Sequence, residues 1–383
     1  MRDPQQDLDD LTAAGLRREL RTLSGPQRPQ IQLGDEALLN FSSNDYLGLA
    51  NEEALKITFQ KAVAKHGVGA GSSRLISGTM TAHMILEETI ATLKNAPAAL
   101  TFSSGYAAAT GSIPAIVGKD DYIILDKLCH ASLIDGSRLS GATMRVFPHN
   151  DLQKLSDHLH WADRKKTPDS RVLVITESVF SMDGDLAPLR EICGLTQRHG
   201  ALLLVDEAHA FGIIGPRGRG LAAQLGMEQQ IDFQMGTFSK AVGLTGGYLC
   251  AGRAWIDLLL NRARSFIYST APAPALAETI TASLNLIAGE RGDDLRSKLR
   301  ENINILDPQA NSAIIPVVIG ANEAALAASQ KLRENGFLVP AIRYPTVPRG
   351  TARLRITLSA PHREEDITAL QDQLVLLKRN IDS

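Results

Sequence analysis

A lysine, an aspartate and two histidines, each just past an apolar run, are the residues of this sequence best placed to do chemistry together. Lys240 lies in GTFSKAVGLTGG (236–247), behind the hydroxyl residues Thr237 and Ser239 and among glycines. Glycines let a backbone approach a bulky ligand, and hydroxyls with free backbone N–H groups hold phosphate. The Gly-Lys-Ser/Thr ending of a phosphate-binding loop is absent. Taken alone, a lysine in such a loop is ordinarily just solvated. Asp206 ends the run LLLVD, 34 residues before Lys240, and His209 follows it. A carboxylate there is costly unless a cation sits against it, although a capping role explains it equally well. FSSGYAAATG (102–111) reads as a strand, then Ser104-Gly105-Tyr106, then a small-residue helix. That junction offers helix N-terminal amides to an anion. An ordinary N-cap by Ser103 or Ser104 uses the same residues without a ligand. His130 follows the run YIIL and could lay its ring on a planar ligand, though a lone histidine is more often structural.

Together the four pieces match the needs of pyridoxal 5'-phosphate. There is an amine for a Schiff base, a carboxylate to keep the pyridine nitrogen protonated, a phosphate cradle, and a ring to stack. Their order and spacing make coincidence improbable where each piece alone is ambiguous.

The elements that must position these residues follow from periodicity. Strands are expected at Ala99–Phe102, Tyr122–Leu125, Val172–Thr176, Leu202–Asp206, Gln234–Thr237 and Gly247–Ala251. Helices fall between most of them, at His83–Lys94, Leu186–His199 and Ala254–Ala263. The alternation predicts an α/β fold with a predominantly parallel sheet covered by helices on both faces. Ligands of such sheets sit beyond the carboxyl ends of the strands. A basic helix is expected at Leu11–Leu23. After a helix at Pro274–Ala288 comes a small α+β unit, with strands at Ser312–Ile319, Phe337–Ile342 and Ala352–Leu358 and helices at Asn322–Asn335 and Glu365–Arg379. The expected division is an N-terminal helical segment (1–37), a large cofactor-binding domain (38–285) and a small C-terminal domain (286–383).

A chain of 383 residues with a formal net charge of -2 has no basic excess to draw it onto nucleic acid or an anionic membrane. Its three cysteines fit neither a zinc motif nor a disulfide framework, so no metal and a reducing cytoplasm are expected. The polar, acidic start, Met1 to Asp10, is unlike a signal or transit peptide, and no apolar run approaches the ~20 residues of a membrane span.

With these residues in view, the sequence resembles the α-oxoamine synthases of the fold-type I pyridoxal phosphate enzymes, from about Leu38 to His362. The matching segments are NFSSNDYLGL, GSSRLISG, FSSGY, DKLCHAS, TESVFSMDGD, DEAHAFG, GTFSKAVG, FIYST and PTVPRGTARLRITLSAPH. The resemblance implies that Lys240 forms the Schiff base, Asp206 pairs with the pyridinium nitrogen, His209 lies near the phenolic oxygen and His130 stacks on the ring. It implies that Ser104, Gly105, Tyr106 and Thr237 bind the phosphate or line its pocket and that Ser181 touches the cofactor. Ser269 and Thr270 would reach the phosphate of the neighbouring subunit in a homodimer. Arg355 would hold the amino-acid carboxylate, with Arg17, Asn44 and Thr357 as further substrate contacts.

IYST and AIRYPTVPRGTARLRITLS favour the biotin-pathway branch of that family, which condenses L-alanine with a pimeloyl thioester, carried on an acyl carrier protein or CoA, and releases CO2 and the thiol. The alternative is a relative joining glycine to a short acyl-CoA. Two departures, AHAFG after Asp206 and Tyr344-Pro345 where many relatives have two prolines, bear on substrate preference. An inactive regulatory copy is disfavoured because Lys240 and its partners are present. A nicotinamide dehydrogenase is disfavoured because GVGAGSS (67–73) follows a helical stretch and lacks the dinucleotide-binding order.

Overall fold

Runs such as VLVIT and LLLVD have no polar face to offer water, so they become interior strands. In the structure, a computed structural model that describes residues 3–381 and side chains through Lys378, they do. Met1, Arg2, Asp382 and Ser383, the outermost residues of the expected units 1–37 and 286–383, lie outside the described residues. Ala98–Phe102, Val172–Glu177, Phe233–Thr237 and Gly247–Ala251 are buried at every position. They belong to a seven-stranded sheet in the spatial order 98–102, 247–251, 233–237, 202–206, 172–177, 122–126, 143–147. Only Gly247–Ala251 runs antiparallel to its neighbours. Thr143–Phe147, whose sequence TMRVF carries an arginine, was not anticipated. It is the exposed sheet edge, where an interior apolar run is not required.

Successive strand residues serve opposite faces of the sheet. Leu173, Ile175 and Leu204 pack with helices Gly105–Ile116, Ala131–Ser140 and Arg253–Arg262. Val172, Val174, Leu203 and Val205 pack with Leu152–Asp163 and Leu189–His199. Truncating a fully buried member such as Leu249 to alanine would cost about 2–5 kcal/mol.

The chain ends differ from expectation. The N-terminal helix is Pro4–Ala13, not Leu11–Leu23. Its start signals lie earlier than the basic periodicity suggests: Pro4 opens it, and the Asp3 carboxylate accepts the Gln5 N–H at 3.0 Å. The remainder of the supposed helical segment 1–37 contains strands Leu23–Ser24 and Gln30–Leu33, which form a meander with Glu36–Asn40. The expected strand Phe337–Ile342 is two pieces. Phe337–Leu338 pairs in parallel with Leu39–Asn40, while Ala341–Ile342 pairs with Ala352–Thr357. Pro340, between them, cannot donate to a ladder, but its carbonyl accepts the Arg355 N–H at 3.0 Å. Pro274–Ala288 has its expected bounds, and a further helix, Glu290–Leu306, follows it. Among the described residues no helix is long and apolar enough to cross a membrane.

Candidate active site

Five parallel strands end along one edge of the sheet, and the chain leaving each contributes to a single cavity of about 240 Å³. Ser104, Gly105 and Tyr106 follow the first strand, His130 the second, His209 and Lys240 two others, while Glu177, Asp206 and Thr237 are themselves strand-terminal. This is the strand-end crevice of open α/β sheets.

At one end the donors suit an anion. Ser104 caps helix Gly105–Ile116, its hydroxyl accepting the Ala107 N–H at 3.0 Å. First-turn amides such as those of Gly105 and Tyr106 have no acceptor within the helix. Thr237 Oγ1 lies 2.8 Å from Ser239 Oγ and donates to the Gly246 carbonyl at 2.7 Å. A Cβ at Gly247 would stand 2.4 Å from the Ser104 carbonyl and 2.7 Å from the Gly105 nitrogen. Only glycine lets the antiparallel strand begin against this cradle.

The other end carries charge. Lys240 has no salt-bridge or hydrogen-bond partner for its amine among the described residues. Burial lowers the Lys240 pKa, while the nearby Asp206 and Glu177 charges pull it upward. Asp206 is 7% exposed, and its Oδ1 accepts the Ala208 N–H at 2.9 Å. Burial raises its pKa, and the Lys240 charge opposes that rise. His130 caps helix Ala131–Ser140 through Nδ1, which accepts the Ser132 N–H at 3.2 Å. Burial lowers the pKa of His130, with Asp206 acting against the shift and Lys240 with it. His209 is pushed well below the usual histidine value by burial and by the charges of Lys240, Arg355 and His130.

Next to the lysine lies an arginine without an anion. Arg355 is 5% exposed. Its Nε donates to the Ser181 carbonyl at 2.6 Å, Nη1 to Thr357 Oγ1 at 2.9 Å, and Nη1 and Nη2 each to Asn44 Oδ1 at 3.3 Å. No carboxylate pairs with it among the described residues. Arg353, two residues away on the same strand, is paired with Asp183. Loop 41–46 is brought to this point by the Thr357 N–H bond to the Phe41 carbonyl and the Ala360 N–H bond to the Tyr46 carbonyl, both 2.8 Å.

Comparison with known proteins places this geometry. The model of the family described as "Aminotransferase class I and II" matches residues 36–374. The 8-amino-7-oxononanoate synthase of Pelobacter propionicus is 42% identical, covering 99% of both chains. That of an Anaeromyxobacter species is 46% identical, covering 95% of this chain and 92% of the relative. The chain belongs to the 8-amino-7-oxononanoate synthase family. It is therefore a transferase. Among solved structures, a serine palmitoyltransferase from S. paucimobilis, bound to a pyridoxal phosphate–myriocin adduct, superposes with a TM-score of 0.91 at 29% identity, covering 99% of this chain and 97% of that one. The 8-amino-7-oxononanoate synthase of Francisella tularensis gives 0.76 at 27% identity, covering 90% and 98%. The TM-score ranks backbone conformation. The much higher sequence identities decide the family.

Within that family frame, the structure brings Lys240, Asp206, His209, His130, Ser104, Gly105, Tyr106 and Thr237 into one pocket. It puts Asn44, Thr357 and Ser181 against Arg355, with Ser181 engaged through its carbonyl rather than its hydroxyl. Arg17 is not brought there: it is exposed and lies 3.9 Å from Glu19. Ser269 and Thr270 do not line the pocket either, and Thr270 bridges to Ser73. Two residues escaped the sequence reading. Glu177 is register partner of Asp206, and its carboxylate accepts the His130 N–H. Its signal was an acid ending the run VLVIT, the same signature that marked Asp206. Tyr46 places its hydroxyl 2.5 Å from His209 Nδ1. Nothing local in NDYLGL announces that contact, which spans 163 positions.

Proposed function

We propose that this chain condenses L-alanine with a pimeloyl thioester to give 8-amino-7-oxononanoate, CO2 and the free thiol carrier, a step of biotin biosynthesis, with pyridoxal phosphate as cofactor. The observation that carries the reading is Arg355. A buried guanidinium is costly unless an anion meets it, and no carboxylate among the described residues does, although Arg353 has one two residues away. An amino-acid carboxylate supplies the missing charge, and a planar fork suits it.

The pocket fits the cofactor by its donor set. Lys240 offers an amine with no hydrogen-bond partner among the described residues, Asp206 a buried carboxylate for a protonated ring nitrogen, and the helix start at Ser104–Tyr106, with Thr237, a seat for phosphate. His130 and His209 would contact the ring and its substituents. When bound, pyridoxal phosphate supplies an electron sink that stabilises negative charge at the substrate α-carbon. Arg355 holds the alanine carboxylate and so sets the direction of the Cα–H bond. Lys240, its pKa lowered by burial, takes the α-proton. The α-carbon then bonds to the thioester carbonyl carbon and the thiolate leaves. The carboxylate departs as CO2, and a proton returns to the α-carbon.

A second copy of the chain completes the proposal. Tyr268 is 72% exposed, as are neighbouring apolar residues Leu75 and Ile76 at 46% and 81%. Burying them in a homodimer would let Ser269 and Thr270 reach the partner's phosphate seat.

The test is product analysis by mass spectrometry, with L-alanine or glycine offered against pimeloyl groups on CoA and on carrier protein. Release of 8-amino-7-oxononanoate with alanine supports the reading. A product formed only from glycine and a short acyl-CoA would replace it.

A further inference from the structure

Tyr46 has no exposed surface and packs in the hydrophobic core, yet its hydroxyl meets His209, a residue that lines the pocket. The oxygen lies 2.5 Å from His209 Nδ1 and 3.4 Å from Asn44 Oδ1. A phenol has one proton to give, so the two contacts compete. Were Nδ1 protonated, the phenol would accept from it and send its own proton to Asn44 Oδ1. That oxygen is the more distant one and already accepts two N–H groups from Arg355, at 3.3 Å each. The short contact therefore takes the proton. His209 lines the pocket, and its Nε2 has no hydrogen-bond partner among the described residues.

We infer that Tyr46 is a positioning residue: by donating to Nδ1 of His209 it holds the imidazole as the tautomer protonated on Nε2, whose N–H is then offered to an oxygen of the pocket's ligand. The phenol keeps its proton throughout the working range, since burial pushes its pKa up to about 12. The second ring nitrogen sets what the first can do, as in metal-site and triad histidines. Asn44 and Tyr46 thus link Arg355, which would hold the substrate carboxylate, to His209, which would hold the cofactor oxygen. The inference deepens the function proposed above and rests on it for the identity of the ligand.

The experiment is a long-range proton–nitrogen NMR spectrum of the holoenzyme labelled with 15N-histidine at neutral pH, the His209 signals being assigned by their loss in His209→Asn. The wild-type ring is expected to show a protonated Nε2 and a bare Nδ1. In Tyr46→Phe, which keeps the ring packing, the two shifts should move together as the tautomers mix. The kcat should fall roughly ten- to hundredfold, the usual size of outer-shell effects, with KM for alanine nearly unchanged. A wild-type ring protonated on Nδ1, or an unaltered tautomer in Tyr46→Phe, overturns the inference. Should Tyr46→Phe fail to fold, the wild-type spectrum decides alone. Failure of pyridoxal phosphate to bind would instead appear as the absence of a visible band, with the tautomer still readable in the protein.

Discussion

Glu177 and Asp206 are register partners at the ends of adjacent parallel strands, so two buried carboxyl groups face one lysine. Neighbouring buried carboxyls do not readily ionise together. Burial and the Asp206 charge push Glu177 well above the usual carboxylate range, so the prediction is that Glu177, rather than Asp206, carries a proton at neutral pH. Glutamine mimics a neutral acid and still accepts the His130 N–H. Glu177→Gln should keep activity at neutral pH within about threefold. Glu177→Ala leaves that buried N–H without an acceptor, at a cost of about 1–3 kcal/mol. Steady-state rates and denaturation midpoints of the two variants check this, and a Gln variant as damaged as the Ala variant would refute a neutral Glu177.

Replacing Lys240 by alanine removes both the covalent anchor and the proton carrier. Turnover should drop by at least ~10³-fold, consistent with loss of a general base together with a nucleophile. A thiol-release assay reads it. Activity within tenfold of wild type would show that another group moves the α-proton.

Arg355→Lys keeps a positive charge but loses the planar fork that makes the hydrogen bonds to Ser181, Thr357 and Asn44. KM for alanine should rise about 10–100-fold, the value of one or two charged hydrogen bonds at roughly 1.5–3 kcal/mol. The thioester KM should change little. Equal rises in both would mean that Arg355 shapes the pocket without gripping the amino acid.

His149 ties the strand end at Asp126 to the Ser181 loop at Asp185, with contacts of 3.0 and 2.7 Å. Burial alone would lower its pKa, but the hydrogen bonds to both carboxylates outweigh that and raise it to about 10. A folded value above the unfolded ~6.5 means stabilisation that is complete below about pH 6.5 and lost as pH climbs through about 10. His149→Gln should therefore lower the melting temperature by a few degrees at pH 6, with the gap from wild type narrowing toward pH 10. A gap that widens with pH would reverse the sign.

Lys94 and Glu207 form an ion pair with neither side chain exposed, and Glu207 also accepts the Ala222 N–H at 3.0 Å. Lys94→Met strands a buried acid and should cost about 3–5 kcal/mol. Adding Glu207→Gln to that variant should recover part of the loss. Chemical denaturation of the single and double variants measures this, and strict additivity would show that the pair is not coupled.

Much of the site was legible because parallel strands bring their carboxyl ends to one edge. A residue just past an apolar run is then near the ligand whatever the strand order. Lys240, Asp206, His209, His130 and the Ser104 cradle are all of this kind. Periodicity likewise found the interior strands, whose runs carry their own burial signal.

The sequence alone determined the α/β alternation, the strand-end residues and, through their order, the cofactor they suit. Only the tertiary structure decided what comes from far away in the chain. Loop 41–46 meets strand Ala352–Thr357, setting Asn44 against Arg355 and Tyr46 against His209. Phe337–Leu338 joins the N-terminal meander because Pro340 interrupts its strand. Such contacts rest on hydrogen bonds and packing between distant segments, which leave no period in either one. For the same reason Arg355 was a motif match in the sequence, and only its surroundings in the fold made it a buried cation with no carboxylate partner among the described residues.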